Sequence, residues 1–264
     1  MRNVIYPEVA MRMPPTFRTI SSTLLFAATA IACGKDGANR LSTAPSSGGA
    51  SIAGTSNLIT IPFDSHNFVS GVTNPYFPLP SGKVFTYHDI LKDTQELNTV
   101  EVTKDKKTIL GVAVTVVHDQ VFLADGSLAE DTFDWYAQDQ QGNVWYFGED
   151  TKEYDHGTVV TTTGSWEAGA NGAKAGVIML ADPHVGDVYK QEEAPGIGDM
   201  AKVVSLDETV TVPYGTFSHC LDTAEWTPVE PGDRSHKFYA PGVGNVLEVA
   251  TRQGGERDEL VQVR

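Results

Sequence analysis

Asp119, Glu130, Asp134 and Glu149 are the residues whose types and spacing best suit chemistry in this sequence. All four fall on one face of three successive predicted strands. Close carboxylates repel unless a cation or a proton neutralises them, and a hard cation asks for several oxygen ligands. The set is therefore a candidate Ca²⁺ site, and no other cofactor is indicated. Two such carboxylates about 5 to 9.5 Å apart would also suit glycoside hydrolysis, although nothing in the spacing selects it. Tyr136, Trp145 and Phe147 fall on the same predicted face, and Trp166 lies in a Gly-rich stretch, 164–176, able to cover it. Aromatic rings beside carboxylates suit sugars, cations and amphipathic small molecules. Two plainer readings compete: a solvated outer face for the acids, and core packing for the rings.

Other chemistry finds little support. There is no G-x-S-x-G elbow, H-E-x-x-H helix or C-x-x-C pair. Ser218-His219-Cys220 is a run of neighbours whose side chains alternate faces in a strand, so His219 is poorly placed to activate Cys220. A buried structural Cys220 is expected. The seven histidines are scattered, with no H-x-H or i,i+4 pair. His118 falls on the predicted core face, where a bond to a buried carbonyl is expected.

The elements that must position these residues are strands. From Asn57 onward Val, Thr, Tyr and Phe are dense and turn residues recur at short intervals. No stretch holds a 3.6-residue period for a helix, and without strand–helix alternation a Rossmann or TIM fold is disfavoured. A mainly antiparallel all-β domain follows, a curled meander forming a half barrel, barrel or sandwich with few or no helices. The blade-like 139–145 segment occurs once, which excludes a propeller. Lys107–Phe122 is expected as one strand, and Ala201–Leu206 and Glu208–Val212 as two. Asp125-Gly126 predicts a tight hairpin pairing Val116 with Trp135 and His118 with Phe133. With an even loop at the next turn, Val112, Val114, Val116, Trp135, Ala137, Val144 and Tyr146 share the core face, opposite the acids.

The first 56 residues read as an address. Arg12 and Arg18 precede a short apolar run ending Ala30-Ile31-Ala32-Cys33. That is a secretory signal over 1–32, too short to span a bilayer comfortably. Met11 or Met13 is an alternative start. The cysteine after small residues resembles the bacterial lipobox, with Ala30 where Leu is usual, and makes Cys33 the expected lipidation site. Gly34 in place of Asp points to an outer-membrane lipoprotein on the periplasmic side of the envelope. Residues 34–56 are small, polar and aperiodic, a disordered Gly/Ser/Ala-rich tether with a reach of about 25 Å. Residues 57–264 form one β domain.

The chain carries a net charge of −15, and the leader holds three Arg and one Glu, so processing leaves −17. Such a chain is not a nucleic-acid binder. It is expected to attract cations or basic protein partners. Two cysteines exclude a disulfide framework.

Four longer motifs carry a resemblance. They are Asn74-Pro75-Tyr76-Phe77-Pro78-Leu79, then 134–149 (DWYAQDQQGNVWYFGE), Gly164-Ser165-Trp166-Glu167-Ala168-Gly169 and Tyr239-Ala240-Pro241-Gly242-Val243-Gly244. Together they resemble a family of uncharacterised bacterial secreted proteins and lipoproteins over about residues 72–250. The resemblance implies an exported β-rich domain and brings no activity or catalytic residue. The expected function is a membrane-anchored, non-catalytic module for a small amphipathic ligand held inside a curled sheet. The alternatives are an acidic structural or interaction module of the envelope, or a glycan-directed hydrolase.

Overall fold

The computed structural model describes residues 57–264 except 92–93, 229–231, 233 and 252–254. The signal segment, Cys33 and the tether lie outside the described residues. The strands are β1 Asn57–Leu58, β2 Val72–Asn74, β3 Phe77–Leu79, β4 Val84–Leu91, β5 Thr94–Ile109, β6 Val112–Phe122, β7 Leu128–Gln138, β8 Val144–Asp155 and β9 Thr158–Thr161. They continue with β10 Trp166–Glu167, β11 Lys174–Met179, β12 Asp187–Lys190, β13 Glu192–Glu193, β14 Met200–Val212, β15 Gly215–Trp226, β16 Arg234–Ala240, β17 Gly244–Ala250 and β18 Arg257–Val263. A 3₁₀ turn at Ser65–Asn67 is the one helical element among the described residues.

Two antiparallel meanders, β4 to β8 and β14 to β18, make up most of the sheet, and they join where β18 pairs with β4. Among the described residues β1 alone pairs in parallel, with β12. The short run Asp187–Glu193 pairs with β14 through β12 and with β11 through β13. It therefore brings the two ends of the order together, and the sheet curls without closing into a barrel. This is the mainly antiparallel all-β architecture expected from the alternation of residues.

The hairpins explain where expectation and structure part. Residues 107–122 are not one strand, because the chain reverses at Leu110-Gly111, with φ of 50° and 82°. Positive φ at both central residues is the type I′ geometry that matches strand twist, and leucine hides the signal. β14 runs unbroken where two strands were expected. Past Asp125-Gly126 the chain makes a wider loop, Leu123 to Ser127, and a bulge beside Phe122 restores the register. Val116 faces Trp135 and His118 faces Phe133, as expected.

The next turn exchanges faces. Gln138 pairs with Val144, so the loop holds the five residues 139–143. Asp139 organises it by accepting from the backbone N–H of Gln141 and Asn143, from Asn143 Nδ2 and from Trp145 Nε1 at 2.9–3.0 Å. An odd loop inverts the strand. Tyr146 therefore stands opposite Tyr136, and Trp145 opposite Ala137. A bulge at Gly148, φ 117°, then inverts it again, so that Glu149 stands opposite Asp134. Gly148 is required there, since a Cβ would lie 2.1 Å from the carbonyl oxygen of Trp166 on β10.

Candidate functional site

The acids singled out in the sequence are not solvated. Asp119, Glu130, Asp134 and Glu149 are 7 %, 4 %, 3 % and 4 % exposed. The expectation of an acidic outer face is corrected: the curl of the sheet makes that face the interior. Both faces of β7 and β8 are covered at this end.

The proposed aromatic cluster divides. Tyr136 stays with the acids, where it stacks on Tyr146 at 4.8 Å and Trp166 meets Tyr146 edge-on at 5.4 Å. Trp145 and Phe147 point to the opposite face, a correction that follows from the five-residue loop. There they pack edge-on against Phe63 and Phe68, with centroids 5.6–6.0 Å apart. The stretch 164–176 is not a free flap either. β10 is paired to β8, and Ala168 N–H donates to Phe147 O at 2.9 Å. Glu167 holds Lys107 Nζ at 2.6 Å, and that ammonium sits 3.2 Å over the Trp135 ring.

Inside the curl lies a cavity of about 120 Å³. The β2–β3 hairpin covers one side of it. Phe77 packs on Tyr136 at 5.2 Å and on Tyr239 at 6.3 Å. Asn74 ties the hairpin down by donating to Gly142 O and Leu180 O at 2.9 and 3.0 Å. Gly242 N–H donates to Pro75 O at 2.7 Å, which joins the 239–244 turn to the hairpin. Three of the four motifs thus meet at the cavity, through Phe77 and Leu79, through Asp134 and Tyr136, and through Tyr239 and Gly244.

β5, β6 and β11 add Val100, Val117, Asp119 and Ile178, and the walls from the second meander and β4 were missed by the sequence reading. Lys237, Glu248, Asp258, Asn245 and Tyr87 all line the cavity. Lys237, Glu248 and Asp258 belong to a single row across the sheet. Lys237 stands opposite Glu248, Glu248 opposite Asp258, Asp258 opposite Asp89, and Asp89 opposite Glu96. Like charges directly opposite one another are destabilising. The available signal was a charge inside an apolar strand, Glu248 between Leu247 and Val249.

Protons and one lysine manage this charge. Eleven Asp or Glu residues are buried among the described residues, and Lys237 is the one buried cation among them. Its ammonium lies 3.3 Å from Glu225 and 3.7 Å from Glu248. Burial works against that charge, and the two carboxylates overcome it and hold the pKa above the ordinary lysine range. Burial pushes Asp134 up to about 6, against the Tyr146 hydrogen bond and Lys237. Burial and the charge of Asp258 raise Asp89 to about 7. Burial takes Glu248 to about 7 despite Lys237, and burial with Glu248 takes Asp258 to about 8. Glu130 rises to about 8 through burial. Asp119 rises well above the usual range, through burial and then Asp134 and Glu130. Burial thus moves several interior carboxyls up toward or past neutral pH.

No group of three His, Cys, Asp or Glu among the described residues is placed to hold a metal ion. Six histidines, at 66, 118, 156, 184, 219 and 236, instead lie within 4 Å of an aspartate. His118 meets Asp131 at 2.6 Å and stacks on Phe133, rather than meeting the carbonyl that was expected. Cys220 is fully buried, and burial raises its thiol pKa.

No family model matches the sequence, and no curated protein matches it. Two solved structures resemble the fold at low identity. One is an inferred exported protein with a YmcC-like fold from Bacteroides fragilis, 15 % identical, with a TM-score of 0.42, covering 73 % of this chain and all of its own. The other is an inferred lipoprotein from Parabacteroides distasonis, 12 % identical, with a TM-score of 0.41, covering 72 % of this chain and 99 % of its own.

Proposed function

We propose that this chain is an exported lipoprotein, anchored through Cys33 on the periplasmic side of the outer membrane, whose β domain binds a small amphipathic molecule without transforming it. The observation that carries the binding reading is the interior cavity, apolar at Phe77, Leu79, Phe85 and Val100 and polar at Asp119, Asp134 and Asp258. Concave sites with apolar walls and a few convergent polar groups are what small-molecule binding uses. At about 120 Å³ the space is close to that of an engineered cavity which takes up benzene, so an acyl chain is too large and a compact ligand suits it. The sequence supports the anchor through its apolar run, the cysteine after small residues and the polar tether.

The acidic interaction module is the weaker reading, because many of the acids that would recruit a basic partner face inward. Native mass spectrometry of the processed lipoprotein, extracted from membranes in mild detergent, tests the binding reading. The expected result is a co-purifying small molecule lost on Phe77→Trp, which fills the cavity. An unchanged apo mass in both proteins overturns it. For the anchor, Cys33→Ser is expected to move the protein to the soluble fraction, and continued membrane retention overturns it.

A further inference from the structure

The charge and hydrogen-bonding character of the cavity narrow its occupant. Three oxygens from residues lining it, Asp119 Oδ1, Asp258 Oδ1 and Asn245 Oδ1, are buried with no hydrogen-bond partner. All three are acceptors when the carboxyls are ionised. Asp119 is more than nine-tenths buried, so water does not compensate it freely. The one cation of the cavity, Lys237, is spent on Glu225 and Glu248. With its carboxyls ionised the site is therefore short of donors and of positive charge, and two of its acids, Glu248 and Asp258, stand directly opposite each other, with Asp258 also opposite Asp89. The rings of Tyr87, Tyr136 and Phe85 line the same cavity. Tyr87 has turned its own proton away, donating to the backbone oxygen of Asn245 at 3.0 Å. Ring faces stabilise a cation through their quadrupoles.

Resting on the reading of this cavity as a ligand site, we infer that it takes a small organic cation, a protonated primary amine with a short apolar body. The ammonium supplies the three N–H donors that the orphaned acceptors lack. The apolar body lies on Phe85, Val100 and Val117. Positive charge placed near Asp119 and Asp258 offsets the burial and the mutual repulsion that otherwise keep protons on these carboxyls. A bare divalent ion would need a tighter set of oxygens than the fold assembles.

The test is titration calorimetry of the full processed lipoprotein in detergent, with n-butylammonium, n-butanol, butyrate and Ca²⁺ as separate probes. Saturable binding of butylammonium is expected, with butanol and butyrate weaker by about tenfold or more, since a charge-assisted hydrogen bond is at stake. Asp258→Asn is expected to weaken butylammonium by about tenfold. The same substitution relieves the row of acids, so its melting temperature is expected to hold or rise, which separates loss of the ligand from loss of the fold. Butanol binding as tightly as butylammonium overturns the ammonium inference and leaves the cavity reading standing. Preferential binding of Ca²⁺, or binding unaffected by Asp258→Asn, also overturns the inference. If none of the four probes binds at about 10 mM, a concentration that would reveal even millimolar affinity, the inference falls. The co-purification experiment then decides the cavity reading separately.

Discussion

Asp134 and Glu149 stand opposite each other on β7 and β8 and share one hydroxyl, with Tyr146 Oη 2.6 Å from Asp134 Oδ1 and 2.8 Å from Glu149 Oε2. A phenol has a single proton to donate. Two such contacts require that one of the carboxyls be protonated and donate back. That matches Asp134, which burial lifts to about 6. Removing the hydroxyl with Tyr146→Phe strips both acids of their common partner. A loss of about 1–3 kcal/mol is expected, read as a lower midpoint in urea. An unchanged midpoint would show that the bridge contributes nothing.

Acidification is expected to stabilise the fold. Asp134, Asp89, Glu248, Asp258 and Glu130 have folded pKa values raised to between about 6 and about 8. The folded state therefore holds protons that the unfolded chain has already released, and their contribution is full below about pH 4 and lost as pH rises to about 8. Lys237 is shifted in a range above this window and does not oppose it. Each proton held in excess adds about 1.4 kcal/mol per pH unit, or about 3 °C or more in melting temperature. Calorimetric melts between pH 5 and pH 8 should fall steadily with pH. A flat or rising profile would mean that these carboxyls are charged in the native state.

Gly148 and Gly126 both have positive φ but differ in their surroundings. A Cβ at Gly148 would lie 2.1 Å from Trp166 O, while one at Gly126 meets nothing within 4 Å. Gly126→Ala should cost about 1 kcal/mol in backbone strain alone. Gly148→Ala must also displace β10, and is expected to cost more than about 3 kcal/mol or prevent folding. Equal effects would show that the crossing of β10 over the bulge is not constraining.

Lys237→Met leaves Glu225 and Glu248 without their cation. Breaking a buried pair in this way costs about 3–5 kcal/mol. Adding Glu225→Gln, which removes one of the stranded charges, is expected to recover part of that loss, measured as the coupling in a double-mutant cycle. Additive losses would show that the lysine does not act through Glu225.

The sequence by itself determined the strands and much of one register. Alternation marked the chain from Asn57 onward as strands, and period 2 with Asp125-Gly126 placed Val116 opposite Trp135. These are local properties, set by side-chain direction and turn geometry. Which face of β8 carries Tyr146 depended on one residue of loop length at 139–143 and one bulge at Gly148, and parity magnifies such a difference into a full exchange of faces. Tertiary structure alone decided that the acidic face would be the inside. The pairing of β18 with β4 joins strands more than 160 residues apart in the chain, and it aligns Glu248, Asp258 and Asp89 in one row. No local pattern marks that row, because its members become neighbours only when the sheet has curled and closed water away from them.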